Sequence, residues 1–161
     1  MASTITSYLP PHEGWLPKWL LFVSIVSIGN SIQAYTTLHY TYRVYNPNHP
    51  RLPPSISHST SPTTKSLPTD VPSQVTALSA RKFGTWTFLT SLVRLYAAYN
   101  IDNKSFYTLA MWTYGIAWVH FMSEWFVFKT ARWGAPLAGP VVVANMSLVW
   151  MWLQWGFYVN N

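Results

Sequence analysis

The chain alternates long apolar stretches with polar connections. Four stretches are long enough to cross a bilayer, because about 20 helical residues at roughly 1.5 Å each span the hydrocarbon layer. They run from Trp19 to Tyr40, Phe83 to Ile101, Phe106 to Phe128 and Leu137 to Phe157. The pattern predicts an all-α membrane protein in which residues 1–161 form one domain, a bundle of four transmembrane helices.

The connections between these stretches differ greatly in length. Residues 46–75 hold seven of the twelve prolines together with many serines and threonines, and they offer little to bury. This composition predicts a long disordered loop between the first and second helices. The connections Asp102–Ser105 and Lys129–Pro136 are short, so they predict antiparallel neighbours.

Composition narrows the class further. Half of the residues are hydrophobic, ten are tryptophan and only 9% are charged, which argues against a soluble globular protein. The net charge of +6 is spread over the ends of the apolar stretches, so we expect no nucleic-acid surface. There is no cysteine, no close pair of histidines and no glycine-rich nucleotide loop, so we expect no metal site, no cofactor and no catalytic residue.

The basic residues predict an orientation. By the positive-inside rule, the side with more lysine and arginine faces the cytosol. That side carries Arg43, Arg51, Lys65, Arg81, Lys82, Lys129 and Arg132, and the other side carries Lys18 and Lys104. The long loop is therefore predicted to be cytosolic and both termini lumenal. The first stretch lacks a basic leader and a cleavage site, so we interpret it as a retained helix rather than a signal peptide.

Arg94 is the one basic residue inside an apolar stretch. An arginine at the centre of a bilayer costs roughly 2.5–3.5 kcal/mol on insertion scales, so it needs a polar partner. Counted from the turn at Asn103, Arg94 and Glu124 differ in depth by roughly 18 Å, which argues against a direct ion pair. Asn30, Gln33, a helix of another protein or lumenal headgroups could each satisfy Arg94.

Glu124 lies at the predicted cytosolic end instead, level with Arg81 and Lys82. We therefore expect an ion pair across the second and third helices. Glu124 also follows His120 by four residues, so the two share a helix face and could relay protons. The simpler interpretation is that both bond to neighbouring helices.

Small and polar residues predict close packing of helices. Asn30, Gln33 and Asn145 are expected to form hydrogen bonds between helices. Ser24, Ser27 and Ser31 recur at helical spacing with Gly29 nearby, and such residues allow helices to approach closely, within the bundle or against a partner.

A candidate docking surface lies where the second stretch begins. It consists of Arg81, Lys82, Phe83, Gly84 and Trp86, and Arg94 further along the helix is added to the set. Its alternative role is ordinary anchoring at the membrane interface.

Four segments carry a resemblance to a known family. They are LPKWLLFVSIVSIGNSIQAY from Leu16, LSARKFGTWTFLTSLVRLY from Leu78, HFMSEWFVFKT from His120 and GPVVVANMSLVWM from Gly139. Together they resemble the ergosterol biosynthetic protein 28 family, and the likeness covers about Leu16–Tyr45 and Ala77–Trp155. The proline-rich loop is longer than in the family pattern.

The resemblance implies a non-catalytic, multi-pass scaffold of the endoplasmic reticulum membrane. It implies as partners the enzymes of sterol C-4 demethylation: a sterol C-4 methyl oxidase, a C-4 decarboxylating 3-hydroxysteroid dehydrogenase and a 3-keto sterol reductase. It also links the family to the sterol 14-demethylase and the sterol C-24 methyltransferase. Tethering would raise the effective concentration of each enzyme near the next.

Two other functions stay open from the residues alone. One is a small membrane enzyme of the isomerase type, in which His120 and Glu124 move protons on a sterol. The four acidic residues offer little for this chemistry, since only Glu124 lies within an apolar stretch. The other is a sterol-binding or transfer protein, with which the aromatic composition is compatible.

Overall fold

The computed structural model describes residues 8–45, 75–131 and 133–159, and within these ranges all regular structure is helical. The six helices are α1 Leu16–Thr36, α2 His39–Tyr45, α3 Ala77–Tyr99, α4 Lys104–Phe126, α5 Ala135–Leu153 and α6 Trp155–Val159. Of the predicted loop at residues 46–75, all but Val75 lies outside the described residues.

Each predicted apolar stretch contains one long helix, and the first and last stretches also extend into the short helices α2 and α6. Among the described helices, α5 alone is long and apolar enough to pass as a membrane span by length and composition, with a mean hydropathy of 1.4. The pair α1 and α2 is long and apolar enough to cross a membrane only when the two helices are counted as one bent span. The helix α3 and the helix α4 have 23 residues each and are less apolar.

The first stretch is not one straight helix to Tyr40, as the sequence predicts. The axis turns by 100° between α1 and α2. Thr37 is extended, and the hydroxyls of Thr36 and Thr37 donate to the carbonyl oxygen of Gln33 at 3.3 and 3.4 Å. Threonine side chains that bond to the preceding turn compete with helix continuation. The apolar pattern therefore continues past the point where the backbone bends.

Side-chain caps define where α3 and α4 begin. Thr76 and Ser79 form a reciprocal capping box, in which each side chain bonds to the other residue's backbone N–H. At the start of α4, the Asn103 side-chain oxygen accepts hydrogen bonds from the backbone N–H groups of Ser105 and Phe106. Such caps satisfy backbone donors that a helix leaves free at its first turn. The short turn after Tyr99 makes α3 and α4 antiparallel, as predicted.

Small residues bring α1 and α3 into close contact. The serines at 24, 27 and 31 are all buried in α1, and the Ser31 hydroxyl donates to the carbonyl oxygen of Gly84 at 2.6 Å. One turn further along, the hydroxyls of Tyr35 and Thr85 share a hydrogen bond of 2.5 Å. The serine stripe predicted from the sequence therefore forms a helix–helix contact within the chain.

The buried apolar residues form two clusters at opposite ends of the bundle. One surrounds the turn between α3 and α4 and contains Leu16, Leu20, Val23, Ala97, Ala98, Ile101, Tyr107, Ala110, Tyr114, Met151 and Tyr158. The other lies where α2 meets the start of α5 and contains Val44, Phe121, Ala131, Leu137 and Val141. We call them the turn cluster and the α2 cluster.

Residues 8–15 pack across the turn-cluster end of the bundle. The Tyr99 hydroxyl donates to the Tyr8 carbonyl oxygen at 2.6 Å, and the Tyr158 hydroxyl donates to the Glu13 carbonyl oxygen at 3.0 Å. His12 Nε2 lies 3.5 Å from the Asp102 carboxylate. These three contacts hold the segment before α1 against both the α3–α4 turn and α6.

Candidate functional site: the cavity between the helices

A cavity of about 670 Å³ lies between the long helices, bounded by the turn cluster and the α2 cluster. Its size falls within the roughly 300–1,000 Å³ range of small-molecule sites. Most of its walls are aliphatic or aromatic, and the polar side chains gather at two levels, around Arg94 and around His120 with Glu124.

Arg94 is 7% exposed and lies on the cavity wall. Its Nε donates to Thr113 Oγ1 at 3.0 Å, and its two terminal nitrogens donate to Ser27 Oγ and to the Thr113 carbonyl oxygen at 3.4 Å each. The guanidinium carbon lies 4.2 Å from the centroid of the Tyr114 ring, a cation–π distance. Arg94 therefore joins α1, α3 and α4.

These partners differ from those that the sequence suggests for Arg94. Asn30 lies on the cavity wall and Gln33 is exposed, and neither bonds to Arg94. Hydroxyl groups and an aromatic face of the chain itself hold the guanidinium instead. Because Thr113 lies ten residues after Asn103 and Arg94 nine before it, hairpin geometry places them at the same depth. That spacing was a usable signal for Thr113 and its neighbour Tyr114.

The other polar level of the cavity is built on α4 and α2. The hydroxyl of Tyr45 and His120 Nε2 share a hydrogen bond of 2.9 Å, and His120 Nδ1 lies 4.0 Å from a Glu124 carboxylate oxygen. The second carboxylate oxygen of Glu124 accepts from the Thr130 hydroxyl. The His120–Glu124 pair follows from the helical spacing of the sequence, whereas Tyr45 does not, because the bend after α1 brings it over α4. The Thr130 contact does not follow from the spacing either, since it depends on how the chain turns back after α4.

The predicted ion pair of Glu124 with Arg81 or Lys82 is not formed. Within the described residues, the contacts of the Glu124 carboxylate are to His120 and Thr130, and both basic side chains are exposed. Glu124 and Lys82 both line the cavity, but they form no ion pair there. Exposed lysine and arginine side chains near a helix end can keep their charged groups hydrated, which costs less free energy than burying them.

The structure divides the candidate docking surface into outer and inner residues. Arg81, Lys82 and Trp86 are exposed, and Phe83 is half-buried against the ring of Tyr45. Gly84 is buried against α1, so it docks one helix of the chain onto another. Lys82 and Trp86 also line the cavity, which therefore reaches the surface beside them.

The side chains of Asn30, Gln33 and Asn145, which the sequence predicts to bond between helices, form no such hydrogen bond among the described residues. The Asn145 side chain donates to the Val141 carbonyl oxygen of its own helix at 2.8 Å. Another contact joins α1 to α5 instead, since the Trp19 indole N–H donates to Ser147 Oγ at 2.9 Å. No cluster of three or more metal-ligating side chains occurs among the described residues.

The comparisons of this chain with known proteins all indicate the same family. The family model described as Erg28 like protein matches residues 16–149. The chain is 45% identical to ergosterol biosynthetic protein 28 of Candida albicans, over 99% of this chain and 100% of that protein. It is 47% identical to the protein of the same name from Gibberella zeae, over 95% of each chain, and 37% identical to that of Saccharomyces cerevisiae, over 99% and 93%. No solved structure matches the chain.

Proposed function

The chain belongs to the ergosterol biosynthetic protein 28 family, and from that premise we propose that it is a non-catalytic membrane scaffold for enzymes of late sterol synthesis. The names of its relatives refer to ergosterol biosynthesis and state no enzyme activity. The proposal places the protein in the endoplasmic reticulum membrane as a multi-pass protein.

The observation that carries a membrane role is the apolar outer surface of the bundle. Large apolar side chains project outward from the long helices, among them Trp112 with 64%, Leu89 with 63% and Trp152 with 75% of its surface exposed. A helix that is apolar on its buried and its exposed faces suits a lipid surrounding. We infer that α1, α3, α4 and α5 cross the membrane and that α2, turned by 100° from α1, lies along its cytosolic surface.

The proposed partners are the three C-4 demethylation enzymes: the sterol C-4 methyl oxidase, the C-4 decarboxylating 3-hydroxysteroid dehydrogenase and the 3-keto sterol reductase. The sterol 14-demethylase and the C-24 methyltransferase are further partners of the same assembly. Arg81, Lys82 and Trp86 form an exposed basic and aromatic surface at one end of α3, and this surface suits a protein contact at the membrane boundary. Tethering raises the local concentration of each enzyme near the product of the previous one.

Affinity purification from gently solubilised membranes tests the proposal. We expect the tagged chain to recover all three C-4 demethylation enzymes. Arg81→Glu with Lys82→Glu should reduce that recovery, whereas Lys18→Glu with Lys104→Glu, the matched charge change at the other end of the bundle, should not. Intact wild-type protein that recovers none of the enzymes would contradict the scaffold.

A second candidate function rests on the contacts of His120. Tyr45, His120 and Glu124 lie together on a cavity wall, an arrangement that could move a proton on a sterol. Incubation of the purified protein with sterol intermediates separates the two functions. A scaffold leaves the sterols unchanged, whereas turnover that Glu124→Gln abolishes would establish an isomerase-type enzyme.

A further inference from the structure

We propose that the cavity binds an amphipathic lipid that carries one compact anionic group, such as a carboxylate, with that group seated at Arg94. The hydrocarbon part would lie along the apolar walls toward His120. A scaffold needs no ligand in its interior, so this inference goes beyond the proposed function.

The hydrogen-bond inventory of Arg94 leaves room for an acid. A guanidinium has five N–H donors and one positive charge. Three donors bond within the chain, one from each nitrogen, and all three acceptors are neutral oxygens of Ser27 and Thr113. Each terminal nitrogen therefore keeps one N–H donor, and a carboxylate that accepts from either forms a charge-assisted hydrogen bond.

No carboxylate of the described residues neutralises Arg94. Asp102 pairs with His12 outside the cavity, Glu124 contacts His120 and Thr130, and Glu13, which precedes α1, forms no ion pair among the described residues. Glu124 lies eleven residues beyond Thr113 on α4, about 17 Å along the helix axis. A buried charge without a counter-charge is costly, and an anionic ligand would supply the missing charge.

The apolar walls of the cavity favour a ligand with a hydrocarbon part over a small anion. Phe22 and Val26 of α1, Ala117 and Phe121 of α4 and Val143 of α5 present hydrocarbon to it. A phosphate or acetate ion at Arg94 would fill none of the space between these apolar walls, so it would gain no hydrophobic contact with them. A lipid acid satisfies both the charge and the apolar surface.

Two features give the ligand a route and a direction. Phe22 and Val26 line the cavity and are also 56% and 45% exposed, so the cavity reaches the outer apolar surface beside α1. A lipid could enter there from the bilayer. Once inside, its acid is attracted by Arg94 and repelled by Glu124 at the far level, so a single orientation is favoured.

Photo-crosslinking of the full chain in phosphatidylcholine nanodiscs tests the inference. The probes are a diazirine-bearing palmitic acid and the corresponding alcohol at equal mole fraction, competed with oleic acid, oleyl alcohol or hexanoate. We expect the acid to label peptides of α1 and α4 about tenfold or more above the alcohol, since a charge-assisted hydrogen bond discriminates by about that factor. Oleic acid should compete, and hexanoate should not.

Two pairs of variants locate the site. Arg94→Met should remove the preference for acid over alcohol, and Arg94→Lys, which keeps the charge, should retain part of it. Ala117→Phe fills the cavity and should reduce labelling by both probes, whereas Val119→Phe adds the same ring to the exposed face of α4 and should leave labelling unchanged.

The inference fails if wild-type protein takes up acid and alcohol equally, or if hexanoate competes as well as oleic acid. It also fails if the probes label the Ala117→Phe variant as strongly as they label wild-type protein. Should Arg94→Met not fold, the wild-type probe comparison and the Ala117→Phe and Val119→Phe pair decide the question without it. Loss of partner recovery is a separate result, because co-purification of enzymes does not require an occupied cavity.

Discussion

The Ser31 hydroxyl donates to the Gly84 carbonyl oxygen at 2.6 Å, so α1 bonds directly to the backbone of α3. The contact requires a residue without a side chain at position 84. A Cβ added there would lie 2.8 Å from Tyr35 Cδ2 and 3.1 Å from the Ser31 carbonyl oxygen. The pair shows how a serine and a glycine, far apart in sequence, determine the spacing of two helices.

Gly84→Ala should separate α1 from α3. Over-packing of this kind costs about 1–3 kcal/mol, because the neighbouring backbone and ring must shift. We expect a lower midpoint of thermal unfolding in detergent. Gly115→Ala is the matched control, since a Cβ there meets no atom within 4 Å and alanine is the better helix former. Equal midpoints for the two variants would contradict the close contact.

Much of this fold could be predicted from the sequence, because each long helix follows an apolar run that ends at polar or proline-containing turns. The bend after Thr36 could not, since the apolar pattern continues across it. The Arg94–Thr113 contact could be derived from the sequence, because the two residues lie nine and ten positions from Asn103 on either side of the turn. The cavity could not, because an unfilled volume depends on how side chains of several helices meet, and one sequence pattern does not record that.

Thr113→Val should destabilise the bundle by removing the acceptor of the Arg94 Nε hydrogen bond. A buried donor of a charged group left without its partner costs about 1–3 kcal/mol. The comparison is Thr108→Val on the same helix, whose hydroxyl bonds only to the Lys104 carbonyl oxygen of its own helix among the described residues. Thermal unfolding in detergent should separate them; a larger loss for Thr108→Val would be inconsistent with the assigned role of Arg94.

Tyr45→Phe should loosen the attachment of α2 to α4. The change removes the hydroxyl that bonds to His120 Nε2, a contact worth about 0.5–1.5 kcal/mol, and keeps the ring. Limited proteolysis of the full chain should show faster cleavage next to α2. Tyr96→Phe is the control, at an exposed tyrosine whose ring stacks on Phe106. The protease should cleave this variant at the wild-type rate. Unchanged cleavage in Tyr45→Phe would show that the hydroxyl does not hold α2.

Gly14→Ala should release the segment that precedes α1. Gly14 has a φ of 88°, which an L-residue with a side chain rarely adopts, and an added Cβ would lie within clashing distance of the Tyr158 hydroxyl oxygen. We expect faster hydrogen exchange in residues 8–15 and in α6. Gly29→Ala, in open space on α1, should exchange like wild type. Protection of residues 8–15 that survives Gly14→Ala would argue against this packing.

The scaffold is tested most directly by asking whether the enzymes associate with each other because of this chain. The measurement is the amount of 3-keto sterol reductase that co-purifies with tagged sterol C-4 methyl oxidase, from membranes with and without the chain, at equal enzyme levels. A tether predicts that the reductase is recovered in the first case and largely lost in the second, and that restoring the wild-type chain restores it. Equal recovery in both membranes would contradict the account.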